Sequence, residues 1–124
     1  MTRRTERIAE QLRGEIARIL REDVADPRVQ LVTLTRVDVA PDLSHALVYW
    51  SHLNATPERS PASEEELLPL EEGLASAAPF VRRQAAHHLD LRRMPELRFR
   101  HDPSLELGTR TLSLLRQLSD DEKA

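Results

Sequence analysis

Apolar residues near the start of the chain recur in steps of three and four, at Ile8, Leu12, Ile16, Ile19 and Leu20. That spacing collects them on one face and predicts a helix that Asp26-Pro27, just past Val24, brings to an end. Arg3, Arg4 and Arg7 precede or open the helix, against its dipole. Arg13, Arg18 and Arg21 ride its solvated face. Beyond it the pattern changes. Leu31 to Val39 and Ala46 to Ser51 are rich in Val, Leu, Thr, Tyr and Trp, and Ala40-Pro41-Asp42-Leu43-Ser44 lies between them. This predicts a hairpin with a loop of about five residues. Val37 and Val39 are apolar where Thr33 and Thr35, at the same parity, are polar, so a bulge or register change is expected in the first strand. Tyr49 and Trp50 point to opposite faces. Both are assigned to core packing, because a base-stacking platform wants at least two aromatics on one exposed face.

Leu53 to Ser63 reads as a loop, and Ser63-Glu64-Glu65-Glu66 matches a capping box that restarts helical sequence. Pro69 either costs that helix an interior hydrogen bond or stands in its first turn, with the helix running to about Ala77 and packing through Leu70 and Leu74. Pro79 disfavours helical geometry at Ala78, so two helices are expected to meet at Ala77-Ala78-Pro79, the second spanning Phe80 to Leu89. After Pro95, Leu97 and Phe99 alternate with Arg98 and Arg100, the pattern of a strand with one face in the core and one in water. The predicted order is helix, strand, strand, helix, kink, helix, strand, an α+β fold with a three-stranded sheet.

Composition narrows the class. A chain of 124 residues is one domain by length and can bury an ordinary core. With no cysteine there are no disulfides and no thiolate metal sites. No run reaches the length of a membrane span, and Met-Thr-Arg-Arg-Thr-Glu lacks the apolar core of a signal peptide, so a soluble cytoplasmic protein is expected. Seventeen of the eighteen basic residues are arginine, the side chain suited to bidentate phosphate contacts. Charge is segregated along the chain: +3 from Met1 to Arg21, -5 from Ala55 to Ala75, +4 from Ser76 to Arg100. The wet face of the last strand is basic, and Arg92 and Arg93 stand just upstream. Arginine concentrated on one element of a chain with net charge -3 points to a phosphate-bearing partner.

Enzymatic chemistry is poorly represented. There is no Gly-rich nucleotide loop, and Ser, His and acidic residues occur in no recognisable catalytic context. His87 and His88 end a helix, where a cation suits the dipole, and adjacent helical residues point about 100° apart and do not chelate one metal. His45 opens the second strand. A binding protein without turnover, cofactor or metal is expected.

The predicted order is that of a type II KH domain, and three stretches resemble one family, ribosome-binding factor A, a bacterial small-subunit maturation factor. Arg4 to Ile8 with Asp26-Pro27-Arg28 resembles its first helix and exit. Val37-Asp38-Val39-Ala40-Pro41-Asp42-Leu43-Ser44-His45-Ala46-Leu47-Val48-Tyr49 resembles its hairpin. Leu91 to Gly108, including Pro95-Glu96-Leu97-Arg98-Phe99 and Asp102-Pro103-Ser104-Leu105-Glu106-Leu107-Gly108, resembles its last strand and tail. Where the family usually has an Ala-x-Gly kink, this chain has Ala77-Ala78-Pro79, and proline offers no N-H to a phosphate.

The resemblance implies binding of the free immature small (30S) ribosomal subunit through 16S rRNA, help in late maturation and rRNA processing, release as the subunit matures, and importance for growth in the cold. It implies a monomer. Independently of the resemblance, the residues themselves point to a basic RNA-binding surface of Arg82, Arg83, Arg92, Arg93, Arg98 and Arg100, extended by Arg3, Arg4 and Arg7, and the resemblance adds Ser76, Ala77 and Ala78 at the kink. Residues 1-112 would form the KH-like domain, and 113-124 a partly disordered tail whose Asp120-Asp121-Glu122 repels RNA. The other reading is a protein-interaction module in which the acidic Glu64 to Glu72 region docks a basic ribosomal protein or an assembly GTPase.

Overall fold

A computed structural model describes residues 3–52 and 63–103. Helix α1, Arg3–Glu22, buries Ile8, Leu12, Ile16, Ile19 and Leu20, the predicted face, together with Thr5 and Ala9. It ends four residues before Asp26. Gln30 closes it from a distance, its side-chain amide donating to the Leu20 carbonyl at 2.9 Å and so satisfying an acceptor that the helix end leaves open. Asp26 and Pro27 do something else: they start a short 3-10 helix, Pro27–Leu31, with the Asp26 carboxylate accepting from the Arg28 amide at 3.0 Å. Val29 from this turn is buried at 1% exposure.

Strands β1, Val32–Val39, and β2, His45–His52, pair antiparallel around a five-residue loop, as the alternation predicts. The irregularity expected in the first strand is a bulge. Leu34 pairs with Trp50 and Arg36 with Tyr49, leaving Thr35 as the extra residue. Strand β3, Glu96–His101, runs parallel to β2, so the sheet order is β1-β2-β3. A parallel pair needs a long crossover. Helix α2, Glu64–His88, supplies it.

Residues 64–88 form one helix, which corrects the expected meeting of two helices at Ala77-Ala78-Pro79. Pro69 lies in its interior, not in its first turn. Each proline removes one bond to the residue four positions earlier, to Glu65 and to Ala75. Pro69, Pro79, Glu65 and Ala75 are all at exposed positions, where water can take up the unpaired carbonyls. Against that local cost stands the buried stripe of Leu70, Leu74, Ala77, Val81 and Ala85, which only a continuous helix keeps in phase over the sheet. Ser63 caps the start, its Oγ accepting from the Glu66 amide at 3.3 Å, and Glu64, Glu65 and Glu66 suit the positive end of the dipole. Gly73 faces the 3-10 turn so closely that a Cβ there would sit 3.1 Å from Arg28 Cβ.

Both helices cover one face of the sheet. The core joins Val37, Val39, Ala46, Val48, Trp50 and Leu97 to the apolar faces of α1 and α2. Trp50 belongs to it, at 1% exposure, but Tyr49 does not. Tyr49 sits half-buried on the opposite face, because successive strand residues alternate and the tryptophan holds the inner position. The result is a two-layer α+β, KH-like fold. Among the described residues no helix is long and apolar enough to cross a membrane. The expected loop from Leu53 onward lies almost wholly, and the expected acidic tail wholly, outside the described residues, as does the boundary near 112.

Candidate nucleic-acid interface

The arginines divide by what surrounds them. Arg13 pairs with Glu10, and Arg18 with Glu15 at 2.6 Å and with Glu22 and Asp23 at 3.3 Å. Arg21 meets Glu22, Arg28 meets Asp26 at 2.6 Å, and Arg98 meets Glu96 at 3.6 Å. These contacts have electrostatic consequences. The Arg13 guanidinium holds the Glu10 carboxyl below its ordinary range, and Arg28 does the same to Asp26 through a side-chain and then a backbone hydrogen bond. Thus the arginines assigned to a solvated face of α1 are already neutralised by neighbours.

Arg3, Arg4, Arg7, Arg83, Arg92, Arg93 and Arg100 have no carboxylate within 4 Å among the described residues. An exposed guanidinium without a carboxylate is available to an external anion. Four of the seven converge. Arg3, Arg4 and Arg7 from α1 and Arg92 from the α2–β3 connection line one open cleft of about 720 Å³, with Ile8, Leu43 and Leu91 as its apolar part and Asp90 as the one acid among the described residues that line it.

The hairpin loop shapes this cleft. Leu43 is the one described non-glycine residue with positive φ, at 61°, a conformation that costs a branched side chain about 1–2 kcal/mol. Asp42 holds it there. Its carboxylate accepts from the Ser44 hydroxyl at 2.7 Å and the Ser44 amide at 3.0 Å, and these bonds in that order keep the Asp42 carboxyl below its usual range. The Ser44 carbonyl in turn accepts from the Glu96 amide at 3.0 Å, tying the loop to the start of β3.

A second groove, of about 670 Å³, follows the open edge of β3 beside α2 and is lined by Ala75, Ala78, Arg98, Arg100 and Glu71 among others. The structure therefore collects the sequence candidates into two places. Ala78, Arg98 and Arg100 share the groove, whereas Arg3, Arg4, Arg7 and Arg92 share the cleft. Ser76, Arg83 and Arg93 are exposed outside both linings.

Two candidates are placed otherwise. Ala77 lies in the core at 8% exposure, so its side chain offers nothing to a partner; it falls on the inner stripe of α2. Arg82 donates to the Pro95 carbonyl from Nε at 3.1 Å and to the Met94 carbonyl from Nη2 at 2.7 Å, and so pins the connection that carries Arg92. Its place in the candidate site is thus one of positioning, not contact. Sequence reasoning missed Leu43, which gives no signal without the backbone angle. Among the described residues no group of three or more His, Asp or Glu is placed to hold a metal ion.

Comparison with known proteins agrees with this architecture. The family model described as "Ribosome-binding factor A" matches residues 4–115. A ribosome-binding factor A from Shewanella sp. (strain W3-18-1) is 43% identical over 98% of this chain and 76% of its own length. The crystal structure of ribosome-binding factor A from Thermus thermophilus shares the fold, with a TM-score of 0.63, 24% identity, and coverage of 78% of this chain and 94% of that one. A Thermus thermophilus homology model fitted into the cryo-EM map of a complex of that factor with the 30S subunit aligns at a TM-score of 0.54 and 25% identity, over 77% of this chain and 91% of that one. With the match covering most of its length, and the helix, hairpin and last strand in the expected order, the chain belongs to the ribosome-binding factor A family.

Proposed function

We propose that this protein binds the immature small ribosomal subunit through its ribosomal RNA and assists late maturation and rRNA processing, in the cytoplasm, as a monomer and without turnover. The observation that carries the reading is the convergence of Arg3, Arg4, Arg7 and Arg92 on one cleft without a carboxylate within 4 Å of any of them among the described residues. In a chain of net charge -3, where the other α1 arginines are paired, such a cluster fits a phosphate backbone better than a solvated surface. Family membership supplies the subunit: the related Thermus thermophilus factor is described in complex with the 30S particle.

Co-sedimentation with purified mature and precursor small subunits, and with large subunits, tests this directly. The expected result is selective small-subunit binding that falls steeply with salt. Charge reversal then locates the surface. Arg92→Glu with Arg93→Glu should abolish binding, whereas Glu65→Lys with Glu66→Lys should leave it intact. The opposite pattern would replace RNA by a basic protein docked on the start of α2.

A further inference from the structure

The face of the sheet turned away from both helices carries one arrangement that the cleft does not use. Pairing aligns Arg36 of β1, Tyr49 of β2 and Arg100 of β3 in a row across all three strands, with Asp38, Leu47 and Arg98 in the next row. The Arg36 guanidinium lies over the Tyr49 ring, 4.4 Å from its centre. This contact depends on the bulge. Had β1 kept the register of its first half, Thr35 would face Tyr49 and Arg36 would share the inner face with Leu34. The extra residue is itself held, since the Thr35 hydroxyl lies 2.8 Å from an Asp102 carboxylate oxygen and 3.3 Å from the Tyr49 carbonyl. An irregularity secured from two sides thus places a cation on an exposed-face ring.

We propose that this row is a stacking site for an unpaired nucleotide of single-stranded RNA, with the base on the Arg36–Tyr49 pair and its phosphate at Arg100. The proposal rests on the RNA-binding reading above and adds a second contact, on a different face, of a different kind. Aromatic rings and guanidinium planes both take bases through their π faces, and this works only on a base that is not already stacked in a helix. Asp38, 3.4 Å from Nε of Arg36, anchors the guanidinium by its edge. Charge complementarity favours a phosphate at Arg100. It has no carboxylate within 4 Å among the described residues, whereas Arg98 in the next row is turned to Glu96. A single aromatic suffices because a cation completes the platform.

Fluorescence anisotropy of the full chain with a labelled ten-nucleotide oligouridylate, and with an RNA duplex of the same length, tests the site. Single-strand binding is expected to exceed duplex binding. Loss of one base stack is worth roughly 5- to 150-fold in affinity, so Tyr49→Leu should weaken binding by about tenfold or more with no change in salt slope. Tyr49→Phe should keep it. Arg36→Gln, at a well-exposed position that does not threaten the fold, should weaken binding, and Arg100→Gln should lower the salt slope by about 0.7. Wild-type affinity in Tyr49→Leu or Arg36→Gln, or no preference for the single strand, would overturn the site and leave the subunit-binding reading standing. So would a protein that co-sediments with small subunits but binds no single strand. Failure of the unaltered protein to co-sediment would remove the reading on which the site rests.

Discussion

Replacing Arg3, Arg4, Arg7 and Arg92 together by glutamine separates a phosphate-gripping cleft from a merely charged surface. All four line the cleft and none has a carboxylate within 4 Å among the described residues, so no described carboxylate engages them before a partner arrives. Each phosphate contact contributes roughly 0.7 to 0.9 to the slope of log affinity against log salt, and four sum to about 3. Between 50 and 200 mM salt, a slope of that size amounts to roughly a 60-fold loss of affinity, which the variant should no longer show. Its fold should not suffer. Arg3 and Arg4 stand in the first turn of α1, opposed to the dipole, and removing each opposed charge gains about 0.3–1 kcal/mol. The assay is small-subunit co-sedimentation across a salt series, with thermal unfolding as the check on integrity. The matched control is Arg13→Gln, Arg18→Gln and Arg21→Gln together, which removes three charges that are already paired and should change the slope by less than about one. An equal fall in slope for the control would show that net charge, not the cleft, governs binding, and an unchanged slope in the cleft variant would refute the argument outright.

Two further outcomes follow from the fold itself. Pro79→Gly should keep the fold and unfold at equal or higher urea concentration, because glycine costs a helix interior about 1 kcal/mol and proline about 3, and the bond to Ala75 is restored; loss of cooperative unfolding would contradict the continuous helix. Asp26→Asn should lower stability at pH 7 and flatten its acid limb. The Asp26 carboxyl is held below its ordinary range by Arg28, so its contribution is present above about pH 4, the unfolded value, and disappears as pH falls through the depressed folded value. Thermal midpoints measured from pH 2 to pH 6 check this, and parallel curves for the two proteins would sink it.

Local patterns carried much of the architecture. Ile8, Leu12, Ile16, Ile19 and Leu20 are all buried, the hairpin loop is the expected Ala40 to Ser44, and β3 alternates as Leu97 in and Arg98 out. These features were legible because each depends on neighbours within a turn or a strand. The helix break was misread for the same reason. Pro79 does oppose helix locally, but α2 packs against α1, β3 and the 3-10 turn, and no window of sequence around the proline contains all those partners.

The candidate site divides along the same line. Arginine content, its concentration in two segments and the basic face of the last strand are properties of the chain order, because side-chain identity and strand periodicity are local. Which arginines are free, and which meet, are not. Arg18 and Arg4 look alike in sequence, yet one is surrounded by three carboxylates and the other has none within 4 Å among the described residues. Arg82 resembles Arg83, yet only one is drawn to the carbonyls of residues 94 and 95. The convergence of Arg7 and Arg92 on one cleft, and the alignment of Arg36, Tyr49 and Arg100 in one row, require the packing of α1 beside the α2–β3 connection and a parallel β2–β3 pairing across a 25-residue helix. Such contacts are set by how the apolar faces bury one another, a non-local condition satisfied only when the whole sheet and both helices come together.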